Sequence, residues 1–559
     1  MAFLFKKKVK GIYSLYMGEN KKVNGISTRV KSKYLGPLHR FKEYFADDLF
    51  KIERINHYEY GLSSALKQIM DQFLFQKIFR NKIKKQTEDP YIDRLMVLIV
   101  MNRLADPCAK YSLQRWFKGT DLANTFNIPV EELEVHKIYR AMDQLDKYAE
   151  EIETEICKTI LIQENISLNM IYLDFTNQES YSRNHDSELL KNGHNKRGHD
   201  ELLQVNLSLT CDSNTGIPFF HKSYPGNYND KQFIKIYAEE LRAKLDALGY
   251  TGKNTLIIDR GINGDKDFEL LRQHRFDYIG GLIQKEFPKY FEIPKSKLRN
   301  THIHTRETKE DVKIKYTGIK EEIYGQNHLI LTLYNVESYD SAIEDLDNSL
   351  KEYKVACEKQ LQEFKKEIAE KTFQSHWNNV DKITNKLKEI NKEIYPLLRF
   401  KIKSYRFDLT WKINQNKKEY NKYVDNFGKY VLFTNRLDLK PKEVIELFYG
   451  KKKIEKNFHY LKSNGYTNRY LRMGPMLHSK DERIKSHNYT CVSALQIYQI
   501  INYRLKKKGL DISAQEALDE LKTITYYHIK VPGQDEPIRH VNLLTQRQKE
   551  ILKALEVEL

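Results

Sequence analysis

Cysteine is scarce and scattered. The five residues, Cys108, Cys157, Cys211, Cys357 and Cys491, stand singly, and no paired spacing suggests a zinc site. An odd number of thiols, mostly in apolar surroundings, reads as buried and reduced, which suits a reducing compartment. Also missing is any apolar run near the roughly 20 residues that a spanning helix requires. The opening Met1-Ala-Phe-Leu-Phe-Lys-Lys-Lys puts its charges after its apolar residues, the reverse of a secretory signal. A soluble, cytoplasmic protein is the expectation. There is no repeat of fixed period and no low-complexity tract. Acids, finally, fall short of bases: 76 Asp and Glu face 94 Lys and Arg, a formal charge of +18. That excess points to a polyanionic partner, with nucleic acid ahead of a membrane surface.

What is present divides along the chain. A length of 559 residues is too great for one ordinary core and suggests two to four domains. Residues 1–45 read as a small β element around a turn-rich Gly18-Glu-Asn-Lys-Lys-Val-Asn-Gly. Residues 46–165 read as helical. Their short basic helices suit docking on DNA, and plain helical packing gives the same pattern. Residues 166–285 change to strands, at Leu168–Thr176, Leu202–Cys211, Ile217–Tyr224, Asn254–Gly261 and Phe276–Leu282, with a helix from Asp230 to Leu248. Residues 286–430 break that pattern with charged strand-like pieces and a Lys- and Glu-rich stretch from Ser341 toward Glu393, expected to be a solvated helical hairpin inserted in the sheet domain. Residues 431–510 return to strand and helix, and 511–559 read as a C-terminal helical region. Periodicity alone supports a mixed α/β protein.

The stretch Ile445–Ser463 carries the densest pattern. Ile454, Phe458 and Leu461 form an apolar helical stripe. Glu455, His459 and Lys462 form a second stripe beside it, with Lys451 one turn earlier. A surface helix laced with i,i+4 pairs has the same spacing. Elsewhere, Asp174 and Asp259 each end a predicted strand, where ligands of open sheets gather. Helix caps and turns also favour aspartate there. Three carboxylates brought together would repel unless a divalent cation joined them, and oxygen donors suit Mg²⁺ or Mn²⁺. Two such ions clamp the attacking and leaving oxygens of an in-line phosphoryl transfer.

These blocks resemble the DDE transposases of bacterial insertion sequences, in the insertion-sequence-four-like group. The resemblance rests on Leu173-Asp174-Phe-Thr176, Gly193-His-Asn-Lys-Arg-Gly-His-Asp-Glu-Leu-Leu-Gln204-Val, Gly216-Ile-Pro218, Pro225-Gly226-Asn227-Tyr-Asn-Asp230 and Ile258-Asp259-Arg-Gly261. It continues in the group's last signature, Tyr-x2-Arg-x3-Glu-x6-Lys, met here by Glu455 and Lys462. Phe448 replaces the Tyr and Lys451 replaces the Arg. Arg472-Met-Gly-Pro475 and Arg483-Ile-Lys-Ser-His487 extend the likeness downstream. It implies an α/β fold: a ribonuclease-H-like catalytic domain with a large mixed insertion, plus N- and C-terminal helical regions. It also implies a cytoplasmic bacterial enzyme for cut-and-paste transposition. In that enzyme Asp174, Asp259 and Glu455 hold two Mg²⁺ ions, and a homodimer brings terminal inverted repeats and target DNA together. Lys451 and Lys462 would then grip phosphates. Phe448 gives up a hydroxyl, and Lys451 keeps a charge without the bidentate fork of Arg.

Further residues have two readings each. Lys196 and Arg197 lie in a polar hairpin that either touches DNA or is simply solvated. Trp411 in the insertion either stacks on an unpaired base or packs on a core. His487 is read as a packed histidine rather than a catalytic one. Two alternatives to a transposase remain, a ribonuclease-H-like nuclease without strand transfer and a catalytically idle DNA-binding derivative.

Overall fold

The computed structural model describes residues 2–23, 26–40, 54–83, 89–182, 184, 186–195, 198–304, 311–369, 376–405, 408–462, 469–530 and 537–559. The chain forms two compact units, Met1–Asn254 with Lys451–Leu559, and Thr255–Gly450. Both mix helices and strands. No described helix is long and apolar enough to cross a membrane.

The first unit contains an antiparallel meander of the strands Met170–Ser180, Leu203–Asp212 and Pro218–Pro225. All ten residues of Leu203–Asp212 are buried, so both faces of this strand are covered. The helix Asp481–Lys507 packs on the meander at Pro218–Pro225, and also on Val135–Glu164 and Ile92–Ala105. Ile92–Ala105 is buried at every position but Arg94, as expected of a helix apolar all round. The ion pair of Arg504 and Glu164, at 2.6 Å, joins two of these helices in the interior. Arg504 also donates to the Leu555 carbonyl at 2.9 Å, so its remaining protons do not stay unpaired. Helix starts carry the expected caps. Asn229 with Gln232, Ser513 with Glu516 and Thr545 with Gln548 form reciprocal capping boxes.

Two expectations for this unit are corrected. The expected helical region 511–559 contains the strands Thr525–Lys530 and Ile538–Val541, and 46–165 contains Arg54–Glu59. The three pair as one antiparallel sheet with Thr525–Lys530 in the middle. Alternating burial along Thr525–Lys530 explains it: Tyr527 and Ile529 face a small core shared with Leu15 and Leu35. Those leucines belong to the strands Ile12–Val23 and Ile26–Pro37, which with Ala2–Val9 make up the expected first β element.

In the second unit the strands run in the order Arg299–His304, Asp311–Ile323, Gln326–Asn335, Lys429–Thr434, Phe276–Gly281 and Asn254–Ile257. The interrupting segment is therefore narrower than 286–430, because three of its strands pair directly into this sheet. It leaves after Asn335 and returns at Gly428, where the Asn335 amide donates to the Gly428 carbonyl at 2.9 Å. Between them lie the helices Val336–Ala369 and His376–Ile390, the hairpin Leu398–Tyr405 with Asp408–Gln415, and the helix Lys417–Val424. Leu350, Cys357, Leu361, Leu387 and Leu409 give this segment a core of its own.

Candidate functional site

The expectation that Asp174 ends its strand is corrected: it sits mid-way along Met170–Ser180, opposite Leu209 of the neighbouring strand, because the pairing with Leu203–Asp212 continues to Ser180. Its Oδ1 accepts from the Phe175 amide at 2.9 Å. Its Oδ2 lies 3.6 Å from the Lys451 ammonium, and both side chains are largely shielded from water. The expectation that Lys451 lies on the same helical face as Glu455, His459 and Lys462 is corrected here. Pro441–Tyr449 and Lys452–Lys462 are separate helices, with Gly450 and Lys451 between them. Gly450 is the weak point, since glycine costs about 1 kcal/mol in a helix interior. The break frees Lys451 from the surface stripe and lets its side chain reach Asp174.

The Lys451 carbonyl then accepts from the amides of Ile454 and Glu455, at 3.0 and 3.3 Å, which opens the next helix. Ile454, Asn457, Phe458 and Leu461 form the buried face of Lys452–Lys462. Glu455 and His459 are exposed, and Lys462 is half-buried at the helix end. This helix packs on both Met170–Ser180 and Asp481–Lys507.

Two residues that sequence reasoning passed over fix that docking. Asn457 is fully buried. Its Nδ2 donates to the Gly216 carbonyl at 2.8 Å, and its Oδ1 accepts from Gln499. Lys453 donates to the Ser213 carbonyl at 2.7 Å. The turn they read is shaped by Asp212, whose Oδ2 accepts from the Asn214 and Thr215 amides at 3.1 and 2.7 Å. Burial holds the Asp212 carboxyl above the usual range, and those hydrogen bonds from Thr215 and Asn214 oppose the rise. Gly216 has φ +75°, and a Cβ there would lie 3.2 Å from the Cβ of Lys453. Gly216 in the Gly-Ile-Pro block is thus needed for a positive-φ turn under the helix.

The Gly193–Gln204 and Pro225–Gly226 blocks form a cross-brace. Gln204 donates to the Gly226 carbonyl at 2.8 Å and accepts from Asn177 at 2.7 Å. A Cβ on Gly226 would fall on the Gln204 carbonyl, and one on Gly193 would fall on the Gly226 carbonyl. Downstream, Met473 ties the unit together. Its carbonyl accepts from Gln178 at 2.9 Å and faces His487 Nε2 at 2.8 Å, and its amide donates to the Leu461 carbonyl at 2.9 Å. His487 is thus a packed histidine. Burial, with Lys110, His478 and Arg103 nearby, holds it well below the ordinary imidazole value.

In the second unit, Asp259 follows the strand Asn254–Ile257 and is exposed. Its Oδ1 accepts from the Arg260 amide at 2.8 Å. Phe448 is half-buried with its ring 6.3 Å from that of Tyr430. Trp411 pairs with Ile402 and packs partly buried on the core of the interrupting segment. Lys196 and Arg197 lie outside the described residues. Among the described residues, no group of three or more His, Cys, Asp or Glu side chains is gathered so as to hold a metal ion. The assembled pair is Asp174 with Lys451.

No family model matches this sequence, and no curated protein matches it. Among solved structures, the piggyBac transposase synaptic complex with hairpin DNA aligns with 83% of this chain and 79% of its own. Identity is 8% and the TM-score 0.36, too shallow an overlap to bear on fold or activity here.

Proposed function

We propose that this chain is a DDE transposase with a ribonuclease-H-like catalytic fold, cutting DNA at the ends of a mobile element and joining the freed 3′-OH to target DNA. The observation that supports this best is the docking of Lys452–Lys462 against Met170–Ser180, with Lys451 on Asp174. Residues far apart in the sequence that carry separate blocks of the signature meet in one unit. Asp174, Asp259 and Glu455 are the carboxylates that would hold Mg²⁺ or Mn²⁺, and their oxygen donors suit those ions. Two bound ions would supply a nucleophile at neutral pH and neutralise charge on the attacking and leaving oxygens. Three carboxylates repel one another, and bound cations would offset that repulsion. Before they bind, Lys451 balances the charge of Asp174. Once that carboxylate has another counter-ion, a phosphate of the scissile strand is the natural acceptor for the same ammonium. Lys462 would hold a second phosphate from the helix end. Two copies of the chain would pair two element ends.

One observation favours the idle DNA-binding alternative: the Asp174 carboxylate already has the Lys451 ammonium 3.6 Å away as a counter-ion. Incubation with DNA carrying the element's ends, with and without Mg²⁺, separates the two readings. A transposase nicks the ends only with the metal, and Asp174→Asn, Asp259→Asn and Glu455→Gln each abolish nicking while leaving binding intact. Binding without cleavage in Mg²⁺ or Mn²⁺ would establish the idle form. Normal nicking by any one variant would remove that carboxylate from the site.

A further inference from the structure

The first hairpin of the chain is built in two parts, and only its root has a place in the fold. Ala2–Val9 and Ile12–Val23 pair in antiparallel register, from Ala2 opposite Glu19 to Val9 opposite Ile12. Leu15 is buried near the root, with Leu4 and Met17 packed against the same small core. Beyond the root the ribbon runs out of partners, and every residue from Lys6 to Tyr13 is exposed. Val9, Ile12 and Tyr13 remain 41%, 52% and 49% accessible. The tip closes with Lys10 at φ +48° and Gly11 at φ +84°, the two-residue turn with both central φ positive that matches strand twist. A regular, tightly closed ribbon therefore presents its tip to solvent, clear of the other described residues.

Its chemistry is one-sided. The exposed stretch is Lys-Lys-Lys-Val-Lys-Gly-Ile-Tyr, with no Asp or Glu before Glu19. Alternation along the strands distributes the cations over both faces. Lys6 and Lys8 share a face with Tyr13, their ammonium groups 5.7 and 5.5 Å from its ring. Lys7 lies on the opposite face with Val9 and Ile12, and Lys10 is in the turn. A ribbon meant to be covered by another protein layer would have one apolar face. This one carries charge and apolar surface on both.

We infer that this hairpin is a DNA-binding arm that enters the major groove of a duplex, its lysines reaching the phosphates on the two walls. A B-form major groove about 12 Å wide admits a two-stranded ribbon, and the exposed Val9, Ile12 and Tyr13 would then face base edges and sugars. Cations on both faces are what two phosphate walls demand. The inference rests on the reading of the chain as a DNA-processing protein, and names a contact remote in sequence from the carboxylates.

The test compares the full-length chain with a variant carrying Lys6, Lys7, Lys8 and Lys10 all changed to Gln. A third chain has all four changed to Arg. Each is titrated with a short DNA duplex of arbitrary sequence over a range of salt. Each lost phosphate contact should reduce the salt slope by about 0.9. The Gln variant should therefore lose about 2–4 units of slope and, with binding near 1 M salt unchanged, bind about 100- to 10,000-fold more weakly near 0.1 M salt. The Arg variant should keep the wild-type slope. All three should melt alike, because the four lysines are exposed. Equal slopes for wild type and the Gln variant would overturn the arm and leave the proposed function standing. Failure of the wild type to bind any duplex would overturn both. The deep, narrow major groove of double-stranded RNA excludes such a ribbon. A loss of equal size on duplex RNA, or on vesicles of anionic lipid in place of DNA, would therefore also overturn the assignment.

Discussion

Lys451 is 5% exposed with the Asp174 carboxylate 3.6 Å away, so removing either charge takes a counter-ion from a largely shielded partner. Lys451→Met should therefore lower stability by about 1–3 kcal/mol, the scale for removing a charged partner from a largely buried carboxylate. Saturating Mg²⁺ should recover part of that loss if a metal can replace the ammonium, and thermal melts with and without Mg²⁺ measure it. If the proposed transposase function holds, Lys451→Ala should slow single-turnover cleavage of DNA by about 10- to 1000-fold, the scale of one lost electrostatic donor. Lys451→Arg should match or exceed wild type. Equal rates for Ala and wild type would confine this lysine to a structural role. Two histidines give a separate, pH-dependent signature. Burial, together with Lys110, Arg483 and Arg103, pushes His478 down to about 4, and His487 is also held low. Both stay neutral when folded and protonate when unfolded, so their contribution is present above pH 6.5 and is lost as pH falls from there toward 4. Each should add about 1.4 kcal/mol per pH unit to the loss within that window. Denaturant titrations from pH 7 to 4.5 should show the slope, and His487→Asn should flatten it.

At the scale of elements, the helix Lys452–Lys462 depends on contacts made by single buried atoms. Asn457→Leu would leave the Gly216 carbonyl and Gln499 without their partner, and should cost about 1–3 kcal/mol. If Lys451 and Glu455 act as proposed, cleavage should fall with it, since this helix carries Glu455 and begins just after Lys451. The brace between strands is stricter. A Cβ at Gly226 meets backbone rather than a movable side chain, so Gly226→Ala must shift one strand end or break the Gln204 contact. The loss should be about 2–4 kcal/mol, in the range of overpacked cores, visible as a lower denaturation midpoint. An alanine variant that melts with wild type would show that the brace yields easily.

At the scale of the molecule, the segment between Asn335 and Gly428 leaves and re-enters the second unit at adjacent backbone positions. Its ends join two strands that already pair, Tyr334 opposite Lys429, and its core is its own. Replacing residues 336–427 with a short Asn-Gly turn should therefore leave the remaining chain folded, because such a turn closes antiparallel strands without strain. Circular dichroism and a single cooperative melt would confirm it, and an insoluble product would show that the segment supports the sheet. If Trp411 contacts DNA, the shortened chain should also lose affinity for element ends, which Trp411→Ala in the full chain would reproduce.

The sequence by itself marked a strand at Asp174 and another just before Asp259, though the first runs on to Ser180 and the second stops at Ile257, and it marked the apolar stripe of Ile454, Phe458 and Leu461, because these follow from local periodicity. It also marked the acids, the charge excess and the glycines of the signature blocks. The strand Thr525–Lys530 was legible too, in its aromatic and β-branched alternation, although a helical reading was placed on it. Tertiary structure alone decided where Lys451 points. A lysine in a charged stripe looks the same whether it faces water or a carboxylate far away in the sequence, and only the break at Gly450 and the docking of the helix turn it toward Asp174. Asn457 on Gly216 and Gln204 on Gly226 were hidden for the same reason. A buried polar side chain is selected by the backbone group it must satisfy, and that group is found only once distant segments have packed.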